Sequence, residues 1–425
     1  MSLPPSVKRQ RTDAAAAVPS AASTFFAPLR DKVKIEPVWR LDGTLLTGTF
    51  KKSAQTQTDT THPIKLAAFD LDDTLIKTRS GKTFSQSESD WKFFDSSVKP
   101  RLLKLAAEGY TLVIFSNQQN GSQQNGIVLK DGAKRYEQFK QKIRGIMMTL
   151  ATPLICYAAT GKDRFRKPNT GMLQHFLDHQ YPGRSLDMQH SFFVGDAAGR
   201  IPQGKLLVDF SCTDRKFAHN AGLVFHTPDA FFCKMPERDF TWSKENDFDI
   251  SKFTAVDELP VIIGSNKQEL VLMVAPPAGG KTTFFFRYFE PLGYVHINQD
   301  TLKTRPRCLS AAAEALKQGL NVLVDNTNPA KSTRAEWIAL CTTLQVPIRC
   351  FVLDTPLIIA YHNNAYRALG QPSEDLERRE LLPQIAFSTF ASAYQEPELG
   401  EGFTEVVHVP FVPDSTRSAW RQWYS

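Results

Sequence analysis

IKLAAFDLDDTLI, residues 64–76, decides the fold of the first half of this chain. An apolar run too short for a helix ends in carboxylates, the pattern of a buried strand running into a loop. Outward from it, VKPRLLKLAAEG (98–109) reads as a helix closed by Gly109, and YTLVIFSN (110–117) as a second buried strand. KRYEQFKQKIRGIMMTL (134–150) and GMLQHFLDHQ (171–180) have helical spacing, while PLICYAAT (153–160) and HSFFVGD (190–196) read as strands. Strands alternating with helices predict a parallel sheet with helices on both faces. A mixed, polar stretch follows at about 228–260. The alternation then restarts with LVLMV (270–274), YVHIN (294–298), the helix SAAAEALKQG (310–319), NVLVDNT (321–327) and IRCFVLD (348–354). The fold class is therefore α/β, with two open parallel-sheet domains and no internal repeat between them.

The 425 residues divide into a disordered basic tail at 1–60, a first catalytic domain at 61–235, a connector at 236–265 and a second domain at 266–425. Within the tail, Lys8, Arg9 and Arg11 match a short nuclear-import signal and equally a solvated basic stretch. Phe25, Phe26, Val33 and Trp39 hint that part of 25–50 docks onto the body. Lys and Arg total 51 against 44 acidic residues, and about nine basic and five acidic side chains lie in the first 60 residues. Over half of the +7 charge thus sits in the tail, and any phosphate contact on the body needs a local patch. No apolar run reaches the roughly 18 residues of a membrane span. The six scattered cysteines contain no CxxC pair, which argues against a disulfide framework or zinc site and for a reducing compartment.

Asp70 and Asp72 follow the first strand with one residue between them. In open parallel sheets, functional groups gather beyond the carboxyl ends of the strands. Two carboxylates there can divide the work, one attacking phosphorus and one moving protons at the leaving oxygen, and both suit Mg²⁺. Ser116 and Asn117 end the next strand, where a hydroxyl and backbone N–H groups can hold a phosphate oxygen. Lys167, with Arg166 beside it, offers cations for transition-state charge, and Asp196 ends a later strand as a third hard ligand. Asp, Ser, Lys and Asp in this order resemble the four-part signature of haloacid-dehalogenase-type phosphatases. The short spacings between them leave no room for a large cap domain, so the site is open enough to admit a polymer end.

In the second domain, APPAGGKTT (275–283) follows a strand and opens a helix. Gly279, Gly280, Lys281, Thr282 and Thr283 fit a phosphate-binding loop, with backbone N–H groups and Lys for nucleotide phosphates and Thr282 for Mg²⁺. Ala275 occupies the first glycine position and is tolerated if its φ stays negative. Asp325 ends a buried strand, where a base would take the proton of an attacking hydroxyl; the same residue would serve equally to cap the next helix. Arg334 on that helix is a candidate substrate contact.

The likeness is narrower than either fold. FDLDDTLI, SDWKFF, VIFSNQ, RKPNTGM, FVGDAAGR, DFSCTDRKFAHNAGL and FHTPDAFF resemble the phosphatase half of the polynucleotide kinase 3′-phosphatase family. HINQDTLK, VDNTNPAKSTRAEW, AYHNNAYR and YQEPELGEGFTEV resemble its kinase half, and together they cover about 64–412 in the family's domain order. The resemblance implies that Asp70 forms an aspartyl-phosphate, Asp72 acts as acid and base, Asp196 helps hold Mg²⁺, and Arg367 sits in a lid over the triphosphate of ATP. It implies DNA strand ends as substrate, a role in strand-break repair, a repair scaffold or ligase as partner, a nuclear address and a monomer. Asp73 stands where the family has glycine, and Gln299 and Ala365 where relatives often carry arginine. The N-terminal phosphopeptide-binding domain that the resemblance implies for animal members is not expected here, the 60 residues ahead of the body being too few for it. Two other readings are a pair of small-metabolite enzymes and a 3′-phosphatase whose kinase-like half is a silent nucleotide-binding scaffold.

Overall fold

The computed structural model describes residues 36–50, 62–118, 130–204, 207–242, 267–370, 380–413 and 418–424. Lys8, Arg9, Arg11, Phe25, Phe26 and Val33 lie outside the described residues. The first domain contains β1 (Val38–Asp42), β2 (Leu45–Phe50), β3 (Leu66–Phe69), β4 (Ile76–Lys77), β5 (Lys92–Phe93), β6 (Thr111–Asn117), β7 (Leu154–Ala159), β8 (Phe192–Val194) and β9 (Val224–His226). Its helices are α1 (Val98–Ala107), α2 (Lys130–Leu150), α3 (Gly171–Gln180), α4 (Thr213–Ala221) and α5 (Pro228–Cys233). The main sheet runs β1-β2-β7-β6-β3-β8-β9. The five strands from β7 to β9 in that order are parallel, and β3, β7 and β8 are buried along their whole length, as strands covered on both faces must be. β3 lies between β6 and β8, so the chain order reverses at the strand that delivers Asp70. Between β3 and β6 the chain makes only the β4–β5 pair and α1, in keeping with the absence of a large cap there.

The expectation of a disordered tail through residue 60 fails at 38–50, where the hint that part of 25–50 docks onto the body holds instead. β1 and β2 pair antiparallel, and β2 pairs antiparallel with β7, extending the sheet. The cause is local: Leu45 and Leu46 are buried, and Trp39 lies across Gly48 so closely that a Cβ there would meet its ring at 2.5 Å. The short LLTGTF run hides this because Thr and Gly dilute its alternation. Residues 51–61 are outside the described set.

The second domain contains β10 (Leu270–Val274), β11 (Val295–Ile297), β12 (Val322–Val324), β13 (Ile348–Asp354) and β14 (Glu405–Pro410), ordered β11-β12-β10-β13-β14 and parallel throughout. Its helices are α6 (Lys281–Tyr288), α7 (Gln299–Leu302), α8 (Arg305–Lys317), α9 (Lys331–Leu344), α10 (Leu357–Leu369) and α11 (Gln384–Ala393). One sheet face packs on Trp337 and Cys341, the other on Phe284, Phe285 and Phe289.

The expected connector is partly structured: Phe240 bridges to Arg200, and Trp242 stacks on Trp423 at 5.5 Å. The segment 418–424 thereby ties the domains. Asn220 of α4 donates to the carbonyl of Trp423 and accepts from its N–H, and Trp420 donates from Nε1 to Asn363 of α10. All six cysteines are unpaired, and among the described residues no helix is long and apolar enough to cross a membrane.

Because Leu45 is fully buried in the first domain's core, Leu45→Ala should cost about 2–5 kcal/mol in urea unfolding. A change within about 0.5 kcal/mol, the size expected of an exposed position, would put the hairpin outside the folded body.

Candidate active sites

At the end of β3, Asp70 is fixed by its backbone N–H, which donates to the carbonyl of Val194 on β8. The Lys167 ammonium lies 2.5 Å from Asp70 Oδ1 and 2.7 Å from Asp214 Oδ1, and it is 3 % exposed. Asn117 holds the backbone of Lys167 from both sides, accepting from its N–H at 2.8 Å and donating to its carbonyl at 3.0 Å. Asp196 accepts from Thr74 Oγ1 at 3.2 Å. Carboxylate oxygens of Asp70, Asp196 and Asp214 lie within 4.8 Å of one another. Asp73, with φ +54°, makes the turn that the family makes with glycine.

The electrostatics follow from burial and crowding. Burial pushes the Asp70 carboxyl up to about 7; Lys167 pulls it down, and Asp214 and Asp72 push it up again. Burial, then Asp214 and Asp70, raise Asp196 well above the carboxylate range. Burial disfavours the charge on Lys167, but Asp214 and Asp70 outweigh it and hold the ammonium above its ordinary range. Three carboxylates thus face one fixed cation, and hard oxygen donors with surplus negative charge suit a divalent ion such as Mg²⁺.

Several expected roles change. Asp72 is outside the acidic cluster: its side chain is half-exposed and turns to Gln118 Nε2 at 2.9 Å and Lys142 Nζ at 3.5 Å, so it is not a carboxylate ligand of that cluster. Asn117, expected at the substrate through backbone N–H, has both ends of its side-chain amide on Lys167, so the side chain serves the lysine. Ser116 Oγ is buried and accepts from Gln118 Nε2 at 2.8 Å. Arg166 is half-buried beside Lys167, and burial lowers its guanidinium from the ordinary arginine range. Asp214 was missed because it sits in the first turn of α4, not at a strand end. The signal for it is the glycine of FVGD: a Cβ at Gly195 would lie 2.5 Å from Asp214 Oδ2, so only glycine lets α4 press its carboxylate against the sheet.

In the second domain, the loop 275–280 turns into α6 with Gly280 at φ +95° and Ala278 at φ +54°, while Ala275 is not among the left-handed residues. Lys281 is buried and donates to the carbonyls of Pro276 at 2.9 Å and Ala275 at 3.3 Å. Burial pulls its amine down to about 8; Asp325 opposes that, and the charge of Arg367 adds to it. Thr355 Oγ1 donates to the Gly279 carbonyl and Asn363 Nδ2 to that of Ala278, tying down the loop. Thr283 is exposed on the first turn of α6. Lysine, arginine and helix N-terminus therefore converge where nucleotide phosphates would bind.

Asp325 does not suit a free base. Its Oδ2 accepts from Thr282 Oγ1 at 2.6 Å and Asn298 Nδ2 at 3.0 Å, and it lies 3.0 Å from His296 Nε2. Burial pushes this carboxyl up, but the His296 and Thr282 hydrogen bonds and the Lys281 charge outweigh it, and the net direction is down. A carboxylate joined to the loop threonine is the arrangement that holds Mg²⁺ in nucleotide-binding loops. Sequence reasoning singled out neither His296, stacked on Phe285 at 4.0 Å, nor Asn298. Arg334 is likewise corrected: it is 0 % exposed, paired through Nε and Nη2 with both oxygens of Glu401, and its Nη1 donates to the Pro329 and Gln395 carbonyls. It is a structural post with no surface to offer substrate.

A polynucleotide kinase 3 phosphatase model matches residues 65–232, and an AAA domain model matches 270–397. The bifunctional polynucleotide phosphatase/kinase of Schizosaccharomyces pombe is 38% identical over 395 residues, covering 92% of this chain and 89% of its own. This chain belongs to the bifunctional polynucleotide phosphatase/kinase family. A mimivirus relative of Acanthamoeba polyphaga, named a putative bifunctional polynucleotide phosphatase/kinase, is 30% identical over 83% of this chain and 86% of its own. The Arabidopsis thaliana polynucleotide 3′-phosphatase ZDP is 36% identical over 40% of this chain and 24% of its own. The family's two halves thus correspond to the two sheets and the two charged centres.

Removing one partner of the buried Arg334–Glu401 pair strands the other charge. Arg334→Ala should lower unfolding stability by about 3–5 kcal/mol and leave the KM for nucleotide unchanged in the folded fraction. A raised KM with unchanged stability would restore Arg334 to the substrate site.

Proposed function

We infer that the protein processes DNA strand ends, removing 3′-phosphates at the first centre and transferring the γ-phosphate of ATP to 5′-hydroxyls at the second. The observation that carries this is the presence, on one chain, of two separate phosphoryl-transfer arrangements: Asp70 with Lys167 and Asp214, and Lys281 with Thr282 and Asp325.

At the first centre, Asp70 Oδ attacks phosphorus and the P–O bond to the 3′ oxygen breaks, that oxygen taking a proton from Asp72. Water then attacks the aspartyl-phosphate, returns a proton to Asp72 and frees inorganic phosphate. Lys167 and Ser116 face the charge that grows on the phosphoryl oxygens. Asp70, Asp196 and Asp214 would hold Mg²⁺, which neutralises phosphoryl charge when bound.

At the second centre, Lys281 and Arg367 take the nucleotide phosphates, and Thr282 with Asp325 would hold the metal. The base role passes to Asp300, an exposed carboxylate at the start of α7 whose charge is felt by Lys281. Ala365 is buried in α10, so the alanine there is a packing residue. Ala275 keeps its place in the loop without left-handed backbone. Both observations weigh against a silent scaffold, the runner-up. Strand-break repair in the nucleus, action as a monomer, and a ligase or repair scaffold as partner complete the reading, supported by the chemistry of the ends produced and by the basic cluster at Lys8, Arg9 and Arg11.

A nicked duplex bearing a 3′-phosphate and 5′-hydroxyl tests both halves at once. Asp70→Asn should abolish 3′ dephosphorylation and spare 5′ labelling, and Lys281→Ala the reverse; 3′ dephosphorylation without any 5′ labelling by the wild type would leave the scaffold reading. Asp300→Asn should lower kcat by about 10²–10⁴ with ATP binding intact, whereas Asp325→Asn should raise the Mg²⁺ concentration needed for activity instead. Equal behaviour of the two would undo the assignment of the base.

Proton linkage gives a further check. Asp70 is raised to about 7, so on the acid side of that value it carries a proton that Mg²⁺ must displace; Asp196 is raised in the same direction. Mg²⁺ binding should weaken about tenfold per pH unit on the acid side, with proton release measurable by calorimetry in two buffers. Affinity independent of pH between 6 and 8, roughly the span around that value, would contradict the acidic cluster as the metal site.

A further inference from the structure

Three consecutive residues at the end of β6 address three different parts of the first centre. Ser116 ends the strand with a buried hydroxyl and Asn117 clamps the backbone of Lys167; Gln118 is the third. Its Nε2 donates to Asp72 Oδ2 at 2.9 Å and to Ser116 Oγ at 2.8 Å. The amide orientation is fixed by chemistry, since a carboxylate oxygen accepts and the side-chain carbonyl of Gln118 could not approach it. Both amide hydrogens are thereby used at one place.

Two consequences follow from that geometry. Ser116 receives a hydrogen bond on its oxygen, which leaves its own hydroxyl proton to point at a phosphoryl oxygen. Asp72 directly precedes the left-handed Asp73, its side chain is half-exposed, and apart from Gln118 the side chain it meets among the described residues is Lys142, at 3.5 Å. A proton donor that must meet the 3′ oxygen needs a fixed place, because a displacement of about 1 Å can cost 10²-fold in rate. The other carboxylates of the centre are immobilised by Lys167, Thr74 or backbone; Asp72 is the exception among them.

We propose that Gln118 is a positioning residue for proton transfer: it holds the Asp72 carboxyl at the leaving 3′ oxygen. The proposal rests on the acid/base role of Asp72. With Oδ2 held by Gln118, Oδ1 is the oxygen that gives its proton to the 3′ oxygen as the P–O bond breaks and recovers one from the attacking water.

The test separates leaving groups that need a proton from those that do not. A 3′-phosphorylated oligonucleotide leaves as an alkoxide, whereas p-nitrophenyl phosphate leaves as a stable phenolate. Wild type, Gln118→Ala, the isosteric Gln118→Glu and Asp72→Asn are compared in rapid mixing, with 5′-kinase activity of each as the measure of intact folding. The Gln118 variants should lose about 10²-fold in kcat on the oligonucleotide with KM little changed. On p-nitrophenyl phosphate they should release the first equivalent of phenolate near the wild-type rate and then turn over slowly, because hydrolysis of the aspartyl-phosphate still needs Asp72. An equal loss in both phases on both substrates, or no loss on either, overturns the proposal. If Asp72→Asn shows the leaving-group split and the Gln118 variants do not, only the positioning role fails. If Asp72→Asn lacks the split, the acid/base reading fails and takes the proposal with it.

Discussion

A single buried ammonium organises the first domain. Lys167 lies between Asp70 and Asp214, and without it two buried carboxylates would face each other with no cation between them. Much of the surrounding structure serves this contact. Asn117 fixes the backbone that carries Lys167, Gly195 lets α4 approach, and Phe193 lies beneath the ammonium at 5.2 Å. The pair is incomplete by design, since Asp196 adds a third carboxylate that Lys167 alone does not neutralise. That unbalanced charge makes the centre receptive to a cation and, through it, to a phosphate.

The second domain solves the opposite problem. Here the buried charge is Lys281, resting on backbone carbonyls with its amine depressed by burial and by Arg367. Such a charge suits an anion, and Thr355 and Asn363 pin the loop beside it. Two sheets of the same class thus carry opposite local surpluses, one of negative and one of positive charge. The strand that ends beside each surplus sits where the chain order reverses: β3 in the first sheet, β10 in the second.

What was legible in the sequence follows a physical line. Asp70, Ser116, Asp196 and the phosphate-binding loop were readable because apolar runs ending in polar residues mark strand ends, and strand ends of parallel sheets collect functional groups. Asp214 obeys no such rule, being brought in by a helix whose docking depends on a glycine 19 residues upstream. Arg334 was misread because an arginine on a helix is usually exposed, and its partner Glu401 stands 67 residues away in sequence. Asp325 was placed correctly at a strand end, but its role depends on Thr282, His296 and Asn298, which converge only in three dimensions. The β1–β2 hairpin was hidden for a related reason, since its hydrophobic partner surface belongs to β7, more than a hundred residues later.

The aromatic segment at 418–424 has a consequence for what counts as a module. Ile359, Trp420 and Trp423 pack together with Trp242, Tyr366 and Phe411, so one small core draws on both halves of the chain. Asn220, which holds Trp423, also donates to the Pro168 carbonyl next to Lys167, and Asn363, which holds Trp420, donates to Ala278 in the phosphate-binding loop. The border that motifs draw in the sequence is therefore not a border in packing. A kinase half cut free at the connector would carry an indole whose stacking partner stayed behind, and the phosphatase half would lose a support beside its central lysine.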